Sequence, residues 1–173
     1  INTSFGSKVV IPGTGVIMNN EMDDFAAAPG VPNAFGLLGA EANSVAPRKR
    51  PLSSMSPTIV LKGNKPILAV GAAGGPTIIT QTLLAIIHML DYNLPVKEAL
   101  AQPHFHHQWK PNSIRIERKA GETVLKNLKQ RGHQLKIYDS MGATQAVGFF
   151  NDEFQAAHDP RLKGKATVLQ SSK

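Results

Sequence analysis

The sequence predicts a mixed α/β fold in which helices are layered over sheets. Two aliphatic runs, 57–62 and 66–71, flank Gly63-Asn64, a pair typical of a hairpin turn. Residues 77–90 then carry apolar side chains at helical spacing, and short strand-like runs return after residue 113. Because both aliphatic runs are apolar nearly throughout, we expect their sheet to be covered on both faces by other layers.

Three helices are predicted from helical spacing, at 77–90, 96–102 and 122–131. Pro76 suits the first turn of the longest helix, because its missing N–H is not needed there. The apolar residues of that helix share one face, namely Ile79, Leu83, Ile86, Ile87 and Leu90. Gly132 follows the third helix at the position where glycine commonly ends one.

Strands are predicted where short apolar runs end at turn residues, at 9–11, 15–18, 57–62, 66–71, 113–117, 135–138, 144–150 and 154–158. Asn151-Asp152 forms the turn between the last two. Residues 26–47 hold three prolines and several glycines without a regular period. We expect a long surface loop there, of the kind that serves as a lid or a linker.

Composition narrows the class of protein. The 173 residues correspond to about one domain, and 42% apolar against 18% charged residues excludes a disordered chain. The absence of cysteine excludes disulfides, thiolate metal sites and a cysteine nucleophile. No apolar run reaches the ~20 residues that a transmembrane helix needs. The net charge of +7 is spread out and lacks interleaved aromatic residues, which argues against nucleic-acid binding.

Two polar segments have two interpretations each. Glu21, Asp23 and Asp24 form either a solvated acidic turn or a pocket for an ammonium group. The segment lacks the alternating oxygen ligands and the glycine of a calcium loop. Ser53 and Ser54 precede the first aliphatic strand and either cap backbone groups or cradle a carboxylate. No base lies near them in sequence, which argues against a nucleophilic serine.

Gly74-Gly75 stands directly before the longest predicted helix. The pair is either a plain tight turn or an oxyanion hole, since bare backbone N–H groups at a helix N-terminus favour negative charge. In the 104–107 segment, His104 and His106 would share one face of a strand, but a third metal ligand is not evident. We therefore expect a structural turn that packs on Trp109, and no metal site.

The motifs taken together resemble the small, C-terminal subunit of γ-glutamyltranspeptidases over nearly all of residues 1–173, in the runs 2–7, 19–25, 29–33, 50–58, 71–75, 105–109, 141–145 and 159–161. The resemblance implies an N-terminal-nucleophile hydrolase fold, a four-layer αββα sandwich shared with a large subunit from the same self-cleaving precursor. It implies γ-glutamyl transfer and hydrolysis of glutathione and related amides, with amino-acid or peptide acceptors and no cofactor. It also implies a periplasmic or secreted location.

The resemblance assigns roles to individual residues. It implies that the substrate's α-ammonium is bound by Asn2, Glu21 and Asp24, and its α-carboxylate by Ser53, Ser54 and an arginine of the large subunit. Gly74 and Gly75 become the oxyanion donors. Residues 26–47 become a lid loop with Phe35 as an aromatic gate.

One departure from the family concerns the nucleophile. The family's nucleophilic threonine lies upstream of the stretch that matches Asn2, and Thr3 carries no free α-amine that could replace it. We therefore expect this chain to be one piece of a longer protein. The alternatives are a related acylase or a polyglutamate transferase on the same scaffold, and a non-catalytic fragment that binds γ-glutamyl compounds.

Overall fold

The computed structural model describes Thr3 and residues 5–169. This part of the chain contains three helices, α1 Thr77–Leu90, α2 Val96–Leu100 and α3 Glu122–Gln130. Its strands are β1 Thr58–Lys62, β2 Lys65–Ala73, β3 Phe105–His106, β4 Ile114–Glu117, β5 Leu135–Tyr138, β6 Ala143–Phe150 and β7 Glu153–Ala157. Single 3₁₀ turns cover Glu21–Asp24, Glu41–Asn43 and Arg118–Ala120.

The larger sheet is antiparallel, with the strand order β1-β2-β6-β7. Its two central strands pair in register, with Val70 opposite Ala146. Helices α1 and α2 pack against this sheet, and the apolar core between them consists of Leu68, Val70, Ala85, Met89, Val96, Ala99, Leu100 and Ala146. The glycine pair Gly74-Gly75, which connects β2 to α1, therefore lies at the edge of this sheet–helix unit.

The smaller sheet has the order β3-β4-β5. β3 pairs antiparallel with β4, while β4 and β5 run parallel and are joined by the crossover helix α3. Parallel neighbours need such a crossover, because a short hairpin cannot return the chain to the same end of the sheet. β4 lies in the middle of this sheet, so both of its edges are paired.

Most of the predicted elements are confirmed with small shifts of their ends. The helix at 77–90 and the strand at 135–138 have the predicted bounds, whereas α2 ends at Leu100 rather than at residue 102. The strands predicted at 9–11 and 15–18 are wrong, since that hairpin contains a single bridge between Val10 and Ile17. Val9 and Val10 are exposed, so no packed face extends the pairing into strands.

The expectation that other layers cover both faces of the sheet is also wrong for this chain by itself, and the predicted apolar face of α1 is exposed as well. Ile79 and Leu83 on the predicted apolar face of α1 are about half exposed, at 53% and 52%. Ile59 and Leu61 on β1 are 67% and 56% exposed. The buried residues of α1 lie on other sides of the helix and mix polar with apolar side chains, namely Thr77, Ile78, Gln81, Thr82, Leu84, Ala85 and Met89. Two apolar surfaces thus remain uncovered by the described residues.

Candidate active site

The acidic turn, residues 19–25, is held in place by the lid loop. The 3₁₀ turn Glu21–Asp24 leaves Asp24 only 5% exposed. Asn43 Nδ2 of the lid loop donates to the backbone oxygen of Asp24 at 2.8 Å, and Asn43 Oδ1 accepts from the N–H of Leu52 at 2.9 Å. One amide side chain therefore joins the acidic turn, the lid loop and the serine segment, residues 50–58. Asn43 could not be recognised as a site residue from the sequence, because the three segments are far apart along the chain.

Asp24 and Ser54 line one enclosed cavity of about 150 Å³, which we call the recognition cavity. Its other polar lining comes from Asn33 and Asn43, and its apolar lining includes Leu37. The structure thus brings together a carboxylate and a hydroxyl that are thirty positions apart in the sequence. A carboxylate and a hydroxyl are the groups that suit the two ends of a small zwitterion, its ammonium and its carboxylate.

The other predicted recognition residues are less closely associated with this cavity. Ser53 is exposed, lies outside the lining, and accepts a hydrogen bond on Oγ from the N–H of Met55 at 3.1 Å. That contact is the backbone cap of the alternative interpretation. Glu21 is half-buried and also lies outside the lining. Asn2 falls outside the residues that the structure describes.

Gly74 and Gly75 form the turn between β2 and α1. The carbonyl of Gly74 accepts from the N–H of Thr77 at 3.3 Å, and that of Gly75 accepts from the N–H of Ile78 at 3.1 Å. These bonds occupy the first amides of the helix, and Pro76 has no N–H to offer. The N–H groups of both glycines donate to none of the described residues. Two adjacent amide donors are therefore available to an anionic oxygen at the N-terminus of α1.

Both glycines are required by their surroundings. Gly75 has φ +58°, and a Cβ there would lie 3.2 Å from the ring of Phe35. Gly74 has φ +144°, and a Cβ there would lie 2.6 Å from Thr77 Oγ1 and 2.9 Å from Gln81 Nε2. A side chain at Gly74 would therefore collide with Thr77 and Gln81, and one at Gly75 would press on the Phe35 ring from a strained backbone conformation.

Gln81 lies beneath the glycine turn and is 1% exposed. Its Nε2 donates to Thr77 Oγ1 at 2.7 Å and to the carbonyl of Ala73 at 3.3 Å. That carbonyl belongs to the same peptide group as the N–H of Gly74. Holding the oxygen fixes the plane of the peptide and thereby the direction of the N–H, since the peptide group is planar. Nothing in the local sequence pattern of the helix reveals this role.

The glycine turn opens into a cleft of about 510 Å³, which we call the glycine cleft. The cleft is lined by Ala34, Phe35, Gly36, Gly74, Gly75, Pro76 and Arg115. Asn33 Oδ1 accepts from the N–H groups of Phe35 and Leu37, both at 3.0 Å, and so fixes the bend that carries Phe35. The aromatic ring of the lid loop therefore lies against the predicted oxyanion donors.

The recognition cavity and the glycine cleft are neighbours rather than one space. Asn33 and Leu37 line the first, while Ala34, Phe35 and Gly36 line the second. The short segment 33–37 of the lid loop thus borders both hollows.

His106 braces the lid loop to α1. His106 Nε2 lies 2.9 Å from Gln108 Oε1 and its Nδ1 lies 3.1 Å from Thr80 Oγ1. Gln108 Nε2 in turn donates to the carbonyl of Gly36 at 3.4 Å. His104 is buried too, and its Nδ1 donates to the carbonyl of Met141 at 2.8 Å. Both imidazoles thus have structural partners. The predicted packing on Trp109 is wrong, since that ring is 67% exposed and has Lys110 Nζ at 4.7 Å from its centroid.

Burial sets the charge state of these two histidines. Desolvation lowers the pKa of His104 and outweighs its hydrogen bond to Met141. Desolvation likewise lowers the pKa of His106, against the opposing effect of its bond to Gln108. Both rings are therefore neutral at pH 7. In the part of the chain that the structure describes, no cluster of three histidine or carboxylate side chains has a geometry that could hold a metal ion.

Comparison with known proteins places the chain in a family. The family model described as gamma-glutamyltranspeptidase matches residues 1–169, and the chain belongs to that family. It is 47% identical to the glutathione hydrolase proenzyme of Escherichia coli over 93% of this chain and 28% of that protein. It is 40% identical to the glutathione hydrolase proenzyme of Pseudomonas aeruginosa over 98% of this chain and 31% of that protein. The chain thus spans less than a third of these relatives.

The fold agrees with this assignment. A crystal structure of a Helicobacter pylori γ-glutamyltranspeptidase mutant superimposes with a TM-score of 0.87 at 45% identity. The superposition covers 93% of this chain and 89% of the crystallised chain. The predicted class, a mixed α/β chain of the N-terminal-nucleophile hydrolase type, is therefore confirmed.

Proposed function

We propose that the complete protein containing this chain transfers and hydrolyses γ-glutamyl groups, with glutathione and related γ-glutamyl amides as substrates. The observation that carries the proposal is the pair of available amide donors at Gly74 and Gly75, next to a cavity that holds Asp24 and Ser54. Oxyanion donors and a zwitterion site, separated by a short lid segment, match an acyl donor that carries an amino acid at one end.

Recognition of the γ-glutamyl group begins in the recognition cavity. Asp24 pairs with the α-ammonium, assisted by Glu21 and by Asn2, and Ser54 donates its hydroxyl to the α-carboxylate. Ser53 joins Ser54: its Oγ accepts from the N–H of Met55, so its own hydroxyl proton remains available to a carboxylate. An arginine of the large subunit completes the carboxylate site. These contacts place the γ-carbonyl beyond the lid segment, beside the glycine turn.

The chemistry then takes place in the glycine cleft. A threonine that precedes Ile1 in the precursor attacks the γ-carbonyl carbon, and its hydroxyl proton passes to its own α-amine. The carbonyl oxygen becomes anionic and accepts from the N–H groups of Gly74 and Gly75, while the α-amine returns the proton to the departing nitrogen. Removing one such donor costs about 10²–10³ in kcat in comparable sites. Water or an acceptor amine then releases the γ-glutamyl group from the threonine.

The partner of this chain is the remaining part of the same precursor. The curated relatives are named proenzymes and are three to four times longer than the segment they share with this chain. The uncovered faces of β1 and α1 offer apolar surface of the kind that a second sheet and a neighbouring layer bury. We therefore propose that a large subunit packs on the β1–β2–β6–β7 sheet and completes an αββα sandwich.

The location of the complete protein is proposed from its resemblance alone, as periplasmic or secreted. None of the described helices is long and apolar enough to cross a membrane.

The proposal is tested on the complete protein with three acyl donors: glutathione, a glutaryl amide and polyglutamate. We expect glutamate release from glutathione, and a γ-glutamyl dipeptide when an amino-acid acceptor is added. Mass spectrometry of the native protein should find a second chain or an N-terminus upstream of Ile1. Turnover of glutaryl amides or polyglutamate in preference to glutathione would replace the proposal with an acylase or a capsule transferase. Binding of these donors without turnover of any of them would indicate a non-catalytic binding protein instead.

A further inference from the structure

Two arginines form ion pairs with described carboxylates, and Arg115 does not. Arg118 pairs with Asp139 at 3.0 Å, and Arg161 pairs with Glu117 and Asp159. Arg115 is half-buried on β4 and makes neither an ion pair nor a side-chain hydrogen bond with any described residue. A partly buried guanidinium without an anion is costly to desolvate, so it marks a place where an anion is expected.

The surroundings of Arg115 are a ligand cleft rather than open surface. Arg115 lines the glycine cleft together with Phe35, Gly74 and Gly75. It is the one charged side chain among the described residues that line this cleft. Its strand is fixed, because Arg115 pairs across the sheet with His106, which is itself bonded to Thr80 of α1. The cleft therefore offers a single positive charge on a rigid strand near two amide donors.

The position of Arg115 determines which part of a bound substrate its guanidinium can contact. If the proposed function holds, the α-carboxylate of the γ-glutamyl group lies in the recognition cavity with Ser54, on the other side of segment 33–37. The group bonded to the γ-carbonyl then extends into the glycine cleft. Two further residues in extended form reach at most about 7 Å, and a cleft of about 510 Å³ is of the size that holds a small ligand.

We propose that Arg115 binds the free carboxylate at the C-terminal end of the departing peptide, which in glutathione is the glycine carboxylate. The inference rests on the proposed function and adds a specificity to it. Donors and acceptors that end in a carboxylate are preferred over the corresponding amides. The same contact serves both directions of transfer, because an acceptor dipeptide occupies the place that the departing dipeptide has left.

The test compares glutathione with its analogue in which the glycine carboxylate is a carboxamide, using the complete protein. The quantity measured is the ratio of kcat/KM for the two donors. In the unmodified protein we expect roughly tenfold preference for glutathione, the lower end of what a charged hydrogen bond contributes. In Arg115→Gln the ratio should fall close to one, and in Arg115→Lys it should be intermediate. Arg118→Gln is the matched control and should keep the full ratio.

The possible outcomes distinguish a failure of the role assigned to Arg115 from a failure of the proposed function. A ratio near one in the unmodified protein, or an unchanged ratio in Arg115→Gln, overturns the role of Arg115 while γ-glutamyl turnover stands. An equal fall in kcat/KM for both donors in Arg115→Gln also overturns it, since a structural role would not distinguish carboxylate from amide. Failure of the unmodified protein to use either donor overturns the proposed function itself, and the inference with it.

Discussion

Arg161 and Glu117 form a two-pronged ion pair in the interior, with Nε–Oε1 at 2.7 Å and Nη2–Oε2 at 2.6 Å. Their side chains are 8% and 2% exposed. The two carboxylate oxygens also accept the backbone N–H groups of His104 and Met141. The pair thereby joins Arg161 to the segment before β6. In that segment, Gly142 Cα lies 3.1 Å from where a Cβ would stand if Gly74 had a side chain. The segment that this ion pair anchors therefore lies close to the glycine turn.

Removing the guanidinium should destabilise the protein strongly. In Arg161→Met the carboxylates of Glu117 and Asp159 lose their buried partner, and we expect a loss of about 3–5 kcal/mol in the free energy of unfolding. Urea unfolding of the complete protein measures it. The control is Arg118→Met, whose pair with Asp139 is 67% and 88% exposed and should contribute less than about 1 kcal/mol. Similar losses in both variants would contradict the assigned role of the buried pair.

Stability should fall in acid in two steps. Burial would raise the pKa of Glu117, but hydrogen bonds from Arg161, His104 and Met141 outweigh it and hold the pKa below the ordinary 4.5. Its stabilising contribution is present above the ordinary pKa and disappears as the pH falls through the lowered value. Desolvation lowers the pKa of His104 below the ordinary 6.5, so its contribution declines as the pH falls below 6.5 toward the lowered value.

The histidine step can be isolated with His104→Gln, which keeps a donor for the carbonyl of Met141 but does not titrate. Unfolding free energies measured from neutral to mildly acidic pH should fall less steeply in the variant. The difference in slope is at most about 1.4 kcal/mol per pH unit, the value for one proton. Parallel curves for the two proteins would show that His104 is not the group responsible.

Gly75→Ala should reduce kcat by about 10²–10³ with a smaller change in KM, because the added Cβ meets the Phe35 ring and disturbs a proposed oxyanion donor. Gly63→Ala is the matched control. Gly63 has a similar φ of +60°, lies in the β1–β2 hairpin, and a Cβ there would meet nothing within 4 Å. Gly63→Ala therefore introduces the same backbone strain at a position outside the glycine cleft. A Gly75→Ala effect confined to KM would count against the oxyanion role.

Gln81→Leu should lower kcat by roughly tenfold, as expected when a hydrogen bond of about 1–1.5 kcal/mol that orients a donor is lost. The variant releases the carbonyl of Ala73 and leaves Thr77 Oγ1 without its amide donor. Thr82→Val on the same helix is the control, since the buried Thr82 hydroxyl has no hydrogen-bond partner among the described residues. Steady-state kinetics of both variants, with urea unfolding to compare stability, decides between a positioning and a purely structural role.

Local features of the sequence were sufficient to predict most elements but not which of their faces is buried. Pro76 and the helical spacing after it predict α1 to the residue, and Gly63-Asn64 predicts the β1–β2 hairpin. The buried side of α1 could not be predicted, because apolar residues occupy more than one face of this helix. Ile79 and Leu83 are apolar yet exposed here, and the spacing of residues does not reveal whether a face packs within the chain or against another one.

The candidate site likewise consists of residues that could be predicted from the sequence and of contacts that could not. The carboxylates of the acidic turn, the serines before β1 and the glycine pair could each be recognised from residue type, with their alternatives left open. The contacts that support them could not. Asn43, Gln81 and the pair Glu117–Arg161 act across long separations in sequence, and no local pattern distinguishes them from ordinary polar residues.

The most direct test concerns the proposed contact between Asp24 and the α-ammonium of the substrate. The measurement is the ratio of kcat/KM for glutathione to that for its des-amino analogue, the glutaryl amide of the same dipeptide, in the complete protein and in Asp24→Asn. The exposed Asp23→Asn is the control. We predict a preference for glutathione of about tenfold or more in the unmodified protein and in Asp23→Asn, and its loss in Asp24→Asn. An undiminished preference in Asp24→Asn would contradict the assignment of this cavity to γ-glutamyl recognition.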